Sequence, residues 1–386
     1  MYAFTGCTLY TGTEILTNHA LVISGDRILD ILPEAQLSPD CPQVALPGYA
    51  IAPGFLDLQL NGCGGVMFND AIAPETLDIM HATNRRSGTT SFLPTLITAP
   101  DADMHTAIAV VRDYRQQHPH RVLGLHLEGP YLNPKRKGIH NGAHVRQPDP
   151  EMVAAIAAAG GDTVKLITLA PEQVPAAMIQ QLVAAGVTVS AGHTDANFEG
   201  AIAGFRSGIS MVTHLFNAMS PWQSRSPGMV GAALGQAEIY AGIIADGHHV
   251  HFESIRLAKQ LKGDRLFLVT DATPPAGANL ESFMIGGQRV FYHDGQCVSA
   301  EGTLGGSALT MIEAISNCVQ HAGIPLDEAL RMASLYPARA IGVDADLGHL
   351  SPGAIANLAI LTADLQVVGT VTSGQYTPQL NPTTLQ

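Results

Sequence analysis

Val187–Ala196 read VTVSAGHTDA, an apolar, β-branched run that ends in a glycine followed by a histidine, His193. Met211–Met219 read MVTHLFNAM and carry His214 behind the same kind of apolar lead. A short apolar run bounded by turn residues reads as a buried strand, and a strand buried on both faces belongs to a parallel sheet. Working outward, comparable runs lie at Ile51–Leu60, Thr90–Thr95, Val122–Glu128, Val164–Ala170, Val187–His193, Met211–Leu215, Tyr240–Asp246 and Leu266–Asp271. Between them lie stretches of helical periodicity, Pro74–Ser87, Ala102–His118, Pro150–Ala159, Val174–Ala185, Asn197–Ser207 and Phe252–Leu261. Strand and helix in alternation predict a parallel sheet covered by helices.

Closure of that sheet follows from where the reactive residues fall. Gln59, Glu128, His193, His214, Asp246 and Asp271 each stand at or near the C-terminal end of a run, with His193 directly after the fifth and His214 within the sixth. The C-terminal face is where a (β/α)8 TIM-type barrel builds its active site, so the fold class is α/β with a closed barrel over residues 51–344. Residues 1–50 and 345–386 carry short alternating strands (Ala20–Ile23, Arg27–Ile31, Asn357–Leu361, Val367–Ser373) broken by Gly, Asp and Pro. They are expected to pair into one small β-sandwich domain formed by both termini.

The bulk properties narrow the function. The chain has 386 residues, 46% hydrophobic and 14% charged, with a formal net charge of −13. Such a charge repels nucleic acid and anionic lipid, so neither is expected as a partner. No apolar run approaches a membrane span, and the first residues lack a basic region before an apolar stretch, so the expected location is the cytoplasm. Cys7, Cys41, Cys63, Cys297 and Cys318 show neither disulfide nor CxxC spacing, and read as buried reduced thiols.

HLEGP, His126–Pro130, sets Glu128 at a strand mouth just before a Gly-Pro turn. On its own Glu128 reads as a solvated loop acid. Neighbouring strands lie about 5 Å apart, so His193 and His214 can converge with it into a His2Glu set, which binds a catalytic metal and leaves a position open. LFLVTDATPPAG, Leu266–Gly277, ends an apolar strand in Asp271, either a turn cap or a carboxylate placed to move a proton. His140, His248, His249, Asn217 and Arg225 lie on loops, where spacing alone selects none of them. Cys63 has no second cysteine beside it to make a thiolate site.

DLQLNGCGG, PTLIT, GLHLEGP, KGIHN, VSAGHTDA, THLFNAM, IADGHHV, VTDATPPAGA and GSALTMIEA together resemble the N-acetylglucosamine-6-phosphate deacetylase family of the amidohydrolase superfamily, along almost the whole chain. The resemblance implies metal-dependent hydrolysis of the acetamide of N-acetyl-D-glucosamine 6-phosphate, in amino-sugar catabolism and cell-wall sugar recycling. It implies Glu128, His193 and His214 as metal ligands, Asp271 as catalytic acid and base, and His140 polarising the acetyl carbonyl. It further implies Asn217, Ala218 and His249 on the sugar phosphate, and Leu304, Gly305, Gly306 and Ser307 along the sugar ring. A homodimer is implied too, with Arg225 reaching the phosphate in the neighbouring subunit.

Much of the superfamily has an HxH pair after the first strand, where this chain has Gln59, Leu60 and Asn61. Neutral amides are poor ligands, and Lys165 stands at the beginning of its run rather than its mouth. Both point to one divalent ion per subunit, with zinc the default over iron, cobalt or manganese. Another amidohydrolase substrate, or a sugar-phosphate sensor without catalysis, remains open at this level; the full ligand set argues against the sensor.

Overall fold

The computed structural model describes residues 1–379. At its centre eight strands form one parallel sheet: β1 (Phe55–Leu60), β2 (Thr89–Ile97), β3 (Leu125–Glu128), β4 (Val164–Leu169), β5 (Thr188–Ala191), β6 (Met211–Val212), β7 (Tyr240–Ile243) and β8 (Leu266–Leu268). Each strand neighbours the next in sequence. The ring closes where Leu60 bridges Ala272 and the Asp271 N–H donates to the Gln59 carbonyl at 3.0 Å. β1 and β2 are buried at every position. That explains the absence of polar alternation in the corresponding sequence runs, because inner side chains fill the barrel and outer ones meet helices.

The strands stop short of the residues that matter. β6 is only Met211–Val212, so His214 stands two residues beyond it and not inside it. Asp271 likewise lies past the end of β8 at Leu268. The apolar run Ile51–Leu60 also divides. Ala50–Pro53 joins a terminal sheet, and the barrel strand begins only at Phe55. Gly54 is the joint: a Cβ there would lie 2.1 Å from Thr90 Oγ1, so only glycine lets the chain pass from one sheet to the other.

Two sheets flank the barrel. One runs Gln375–Pro378, Val367–Thr372, Leu358–Leu361, Ala50–Pro53, Thr8–Tyr10, Ile15–Leu16, and so draws on both ends of the chain. The other runs Arg27–Pro33, His19–Ser24, Tyr2–Thr5, Gln43–Ala45. Phe4, Leu21 and Ile23 from the second share a core with Leu9, Ile51, Leu358 and Ile360 from the first, a small β-sandwich. Each such buried aliphatic side chain contributes roughly 1.5–3 kcal/mol. Of the expected terminal segment 345–386, residues 380–386 lie outside the described ones.

An antiparallel sheet not expected from the sequence, Ser282–Ile285, Gln288–His293 and Gln296–Ser299, follows β8. Its Ile285 and Val290 pack with Met67, Ile97 and Ile139, which seats it over the barrel mouth. The helices Gly228–Gly235, Met311–Gln320, Leu326–Ala333 and Leu335–Ala340 are likewise additions to the expected elements. All five cysteines are buried and unpaired. Among the described residues, no helix is long and apolar enough to cross a membrane.

Candidate active site

His193, His214 and Asp271 are turned into the mouth by unusual backbone. His193, His214, Phe216, Ala218 and Asp271 all have positive φ, at 49°, 32°, 81°, 49° and 52°. A residue other than glycine pays strain in this region and stays there only when its surroundings hold it, as they do at functional sites. The kink after each short strand takes the next side chain out of the pleat and over the barrel axis. Glu128 needs no kink, being the last residue of β3.

Glu128 Oε1, His193 Nε2 and His214 Nε2 form a triangle with sides of 3.1, 3.0 and 3.1 Å. A tetrahedral ion bound at about 2.0–2.2 Å needs donors roughly 3.3 Å apart, so the triangle fits one closely. The tautomer argues the same way. His193 Nδ1 lies 2.8 Å from the Arg136 carbonyl, which can only accept. Nδ1 therefore carries a proton, and in the neutral ring Nε2 aims a lone pair at a carboxylate oxygen. A cation between them relieves that arrangement, as does a second proton on the ring. Burial pushes the Glu128 carboxyl up, but the His193 and His214 hydrogen bonds outweigh it and hold the acid well below its usual range. His214 is moved the opposite way: burial lowers it, and Glu128 raises it above the ordinary histidine value. The pocket thus draws in positive charge. His214 Nδ1 is buried without a partner.

His140 stands back from this triangle, with Nε2 3.9 Å from Glu128 Oε2. Glu128, His140 and His193 also bring donor atoms within 4.8 Å of one another, so the set overlaps the tighter one. Burial, then His193, pushes His140 down to about 3, which keeps its ring neutral. Its Nδ1 pairs with the Thr98 hydroxyl at 2.8 Å. Asp271, across the mouth, is pushed up to about 6 by burial and by Glu128. Its Oδ1 accepts from Gln59 Nε2 at 3.1 Å and from Asn61 Nδ2 at 2.7 Å, and Gln59 Nε2 also reaches Glu128 Oε1 at 3.1 Å.

A cavity of about 320 Å³ opens above these groups, enough for a hexose derivative. Asn217, Ala218, His249, Leu304 and Gly306 border it. Gly305 does not border it; it packs against Ile139, Val290 and Ile285. Ser307 is turned away, its hydroxyl donating to the Thr270 carbonyl at 2.6 Å. Arg225 stands exposed on the 220–226 loop, away from the cavity wall. Among the charged and amide side chains that border it, Asn61, Lys135 and Arg136 had no site role assigned from the sequence. The basic run Lys135–Lys137 ahead of His140 was a usable signal for an acidic ligand. Arg136 is tied to Asp195 at 2.8 Å, whereas Lys135 is exposed at the rim.

A model of the amidohydrolase family matches residues 50–377, and one of a NagA composite domain matches residues 1–51. The chain belongs to the amidohydrolase family. Among amidohydrolase relatives, an N-acetylglucosamine-6-phosphate deacetylase of Haemophilus influenzae is 45% identical, over 97% of this chain and 99% of its own. An N-acetylgalactosamine-6-phosphate deacetylase of a Shewanella strain is 36% identical, over 93% and 92%. The crystal structure of N-acetylglucosamine-6-phosphate deacetylase from Pasteurella multocida superposes with a TM-score of 0.96 at 47% identity, covering 98% of this chain and 100% of that one. Amidohydrolases are metal-dependent hydrolases, and the Glu128–His193–His214 triangle has the donor chemistry for such an ion.

Proposed function

We propose that this amidohydrolase removes the acetyl group from N-acetyl-D-glucosamine 6-phosphate, giving D-glucosamine 6-phosphate and acetate in amino-sugar catabolism. The observation that carries the reading is the placement of a buried carboxylate, Asp271, across the mouth from the His2Glu triangle, under a cavity of hexose size. Glu128, His193 and His214 would hold one divalent ion, zinc by default, which when bound would supply Lewis acidity to an amide oxygen and lower the pKa of water toward about 7.

Asp271 takes a proton from the attacking water and gives it to the departing nitrogen. His140, its ring kept neutral by burial, offers an N–H from Nε2 to the acetyl oxygen in the tautomer whose Nδ1 accepts from the Thr98 hydroxyl. His249, Asn217 and the Ala218 backbone hold the sugar phosphate, and Leu304 and Gly306 flank the ring. A neutral amide pair at Gln59 and Asn61 supports a single ion per subunit. The exposure of Arg225, away from its own cavity, supports a homodimer in which it serves the site of a second copy. Five buried, unpaired cysteines and a phosphorylated substrate support a cytoplasmic enzyme.

The test is acetate release from N-acetylglucosamine 6-phosphate, its galacto epimer and unphosphorylated N-acetylglucosamine, with metal content measured before and after chelation. The proposal expects metal-dependent release, fastest from the first. Absence of release from folded, fully metallated protein overturns it; faster release from the galacto epimer moves the substrate, not the reaction.

A further inference from the structure

Asp271 offers two oxygens, and the structure treats them differently. Oδ1 receives both side-chain amides, Asn61 Nδ2 at 2.7 Å and Gln59 Nε2 at 3.1 Å. Oδ2 has no hydrogen-bond partner among the described residues, and Asp271 borders the cavity. We propose that Asn61, with Gln59, is a positioning residue that assigns the proton to Oδ2 of Asp271, by pinning Oδ1 between two amides. The inference rests on the deacetylase reading above.

Two features support the assignment. An amide facing a carboxylate must present its nitrogen, so Asn61 is fixed with its own oxygen turned away, and that Oδ1 is buried without any partner. A buried acceptor left unpaired calls for an explanation, and holding Asp271 supplies one. The amides are also carried on backbone that moves with the aspartate. Asn61 N–H and Gly62 N–H both donate to the Ala272 carbonyl at 3.0 Å, and Asp271 N–H donates to the Gln59 carbonyl at 3.0 Å. The carboxylate therefore cannot rotate to exchange its oxygens without breaking two side-chain bonds. An oxygen already accepting two N–H groups is the weaker base, which leaves Oδ2 for proton transfer.

The step balances without another reagent. An O–H bond of water breaks and its proton goes to Oδ2, while the water oxygen bonds to the acetyl carbon. The C–N bond then breaks with its electron pair going to nitrogen, Oδ2 returns the proton to that nitrogen, and Asp271 is again a carboxylate. The second proton of the attacking water, left on the new carboxylic acid, passes to the amine, so that acetate and an ammonium leave.

The experiment compares unmodified holoenzyme with Asn61→Ser, Asn61→Ala and Gln59→Leu in steady-state kinetics on N-acetylglucosamine 6-phosphate. Metal content, thermal melting and the solvent deuterium isotope effect on kcat are measured alongside. Misplacing a proton-transfer group without removing it is expected to lower kcat roughly 10- to 100-fold. KM and one bound metal should be retained, the solvent isotope effect should rise, and Ser should fall between wild type and Ala. If kcat is unchanged, if the loss lies in KM or metal content, or if the isotope effect stays put while kcat falls, the positioning role is wrong. If the unmodified holoenzyme releases no acetate, it is the deacetylase reading that has failed.

Discussion

The Asp246 carboxylate grips His249 at two points and its neighbour His248 at a third: Oδ2 lies 2.6 Å from the His249 ring Nδ1, and Oδ1 accepts the main-chain N–H groups of His248 and His249 at 2.9 and 2.8 Å. Burial raises the Asp246 carboxyl, but the His249 contacts outweigh it and keep the acid ionised. The ring is thereby locked with Nε2 directed away from Asp246. Asp246→Asn, which can offer the wrong partner atom to Nδ1, is expected to raise KM for the phosphorylated substrate about 10-fold or more. The KM of the unphosphorylated sugar should hardly move, which a two-substrate kinetic comparison reads directly.

Thr98 has the corresponding hold on His140. Thr98→Val keeps the shape and removes the hydroxyl that pairs with Nδ1, leaving a buried ring nitrogen unpaired. About one hydrogen bond's worth of orientation should be lost, lowering kcat roughly 10-fold. Bound metal should stay constant, as measured on the same sample.

Acid stability should depend on His81, far from the mouth. Burial, and then Arg121 and Arg85, pushes this histidine down to about 3, and its Nε2 is buried without a partner. An unfolded histidine takes a proton near 6.5, so below that pH the unfolded chain gains a proton the folded one refuses. The neutral ring therefore costs nothing above about pH 6.5 and destabilises progressively as pH falls toward 3, by on the order of 1–2 kcal/mol at pH 5. Melting temperatures of wild type and His81→Leu between pH 7 and 5 test this: the variant's slope should be shallower, and equal slopes would reject it.

Gly54→Ala should destabilise by about 1–3 kcal/mol, the usual range for forcing an atom into a packed interior. Its Cβ would meet Thr90 Oγ1 at 2.1 Å. The paired variant Thr90→Ser, which keeps the Oγ1, should not relieve Gly54→Ala, whereas Thr90→Gly should; denaturant melts measure both.

The barrel was legible because strands buried on both faces leave unbroken apolar runs, and a histidine or carboxylate at or near the end of five of the eight, Glu128, His193, His214, Asp246 and Asp271, stands out. Strand limits were less so. His214 was read inside a strand because MVTHLF stays apolar, while a positive φ at His214 ends the ladder earlier, and nothing in the local pattern announces a left-handed turn at a histidine. Gln59 and Asn61 were seen only as missing histidines. Amides carry no charge signature, and the partner of Asn61 lies 210 residues away, so their grip on Asp271 exists only once the barrel has closed. The sheet at Ser282–Ser299 escaped notice because its strands are half exposed and glycine-linked, which reads as loop.

Ala50–Pro53 sits in its sheet between Thr8–Tyr10 on one side and Leu358–Leu361 on the other. During synthesis the first two strands emerge early and the third only after the entire barrel has been made. Until then Ala50–Pro53 presents an open edge beside the joint at Gly54, and such an edge recruits foreign strands. A message or ribosome that stops before Leu358 would therefore release a polypeptide that already contains Glu128, His193, His214 and Asp271, yet whose unfinished edge marks it for aggregation or for the chaperones that detect it.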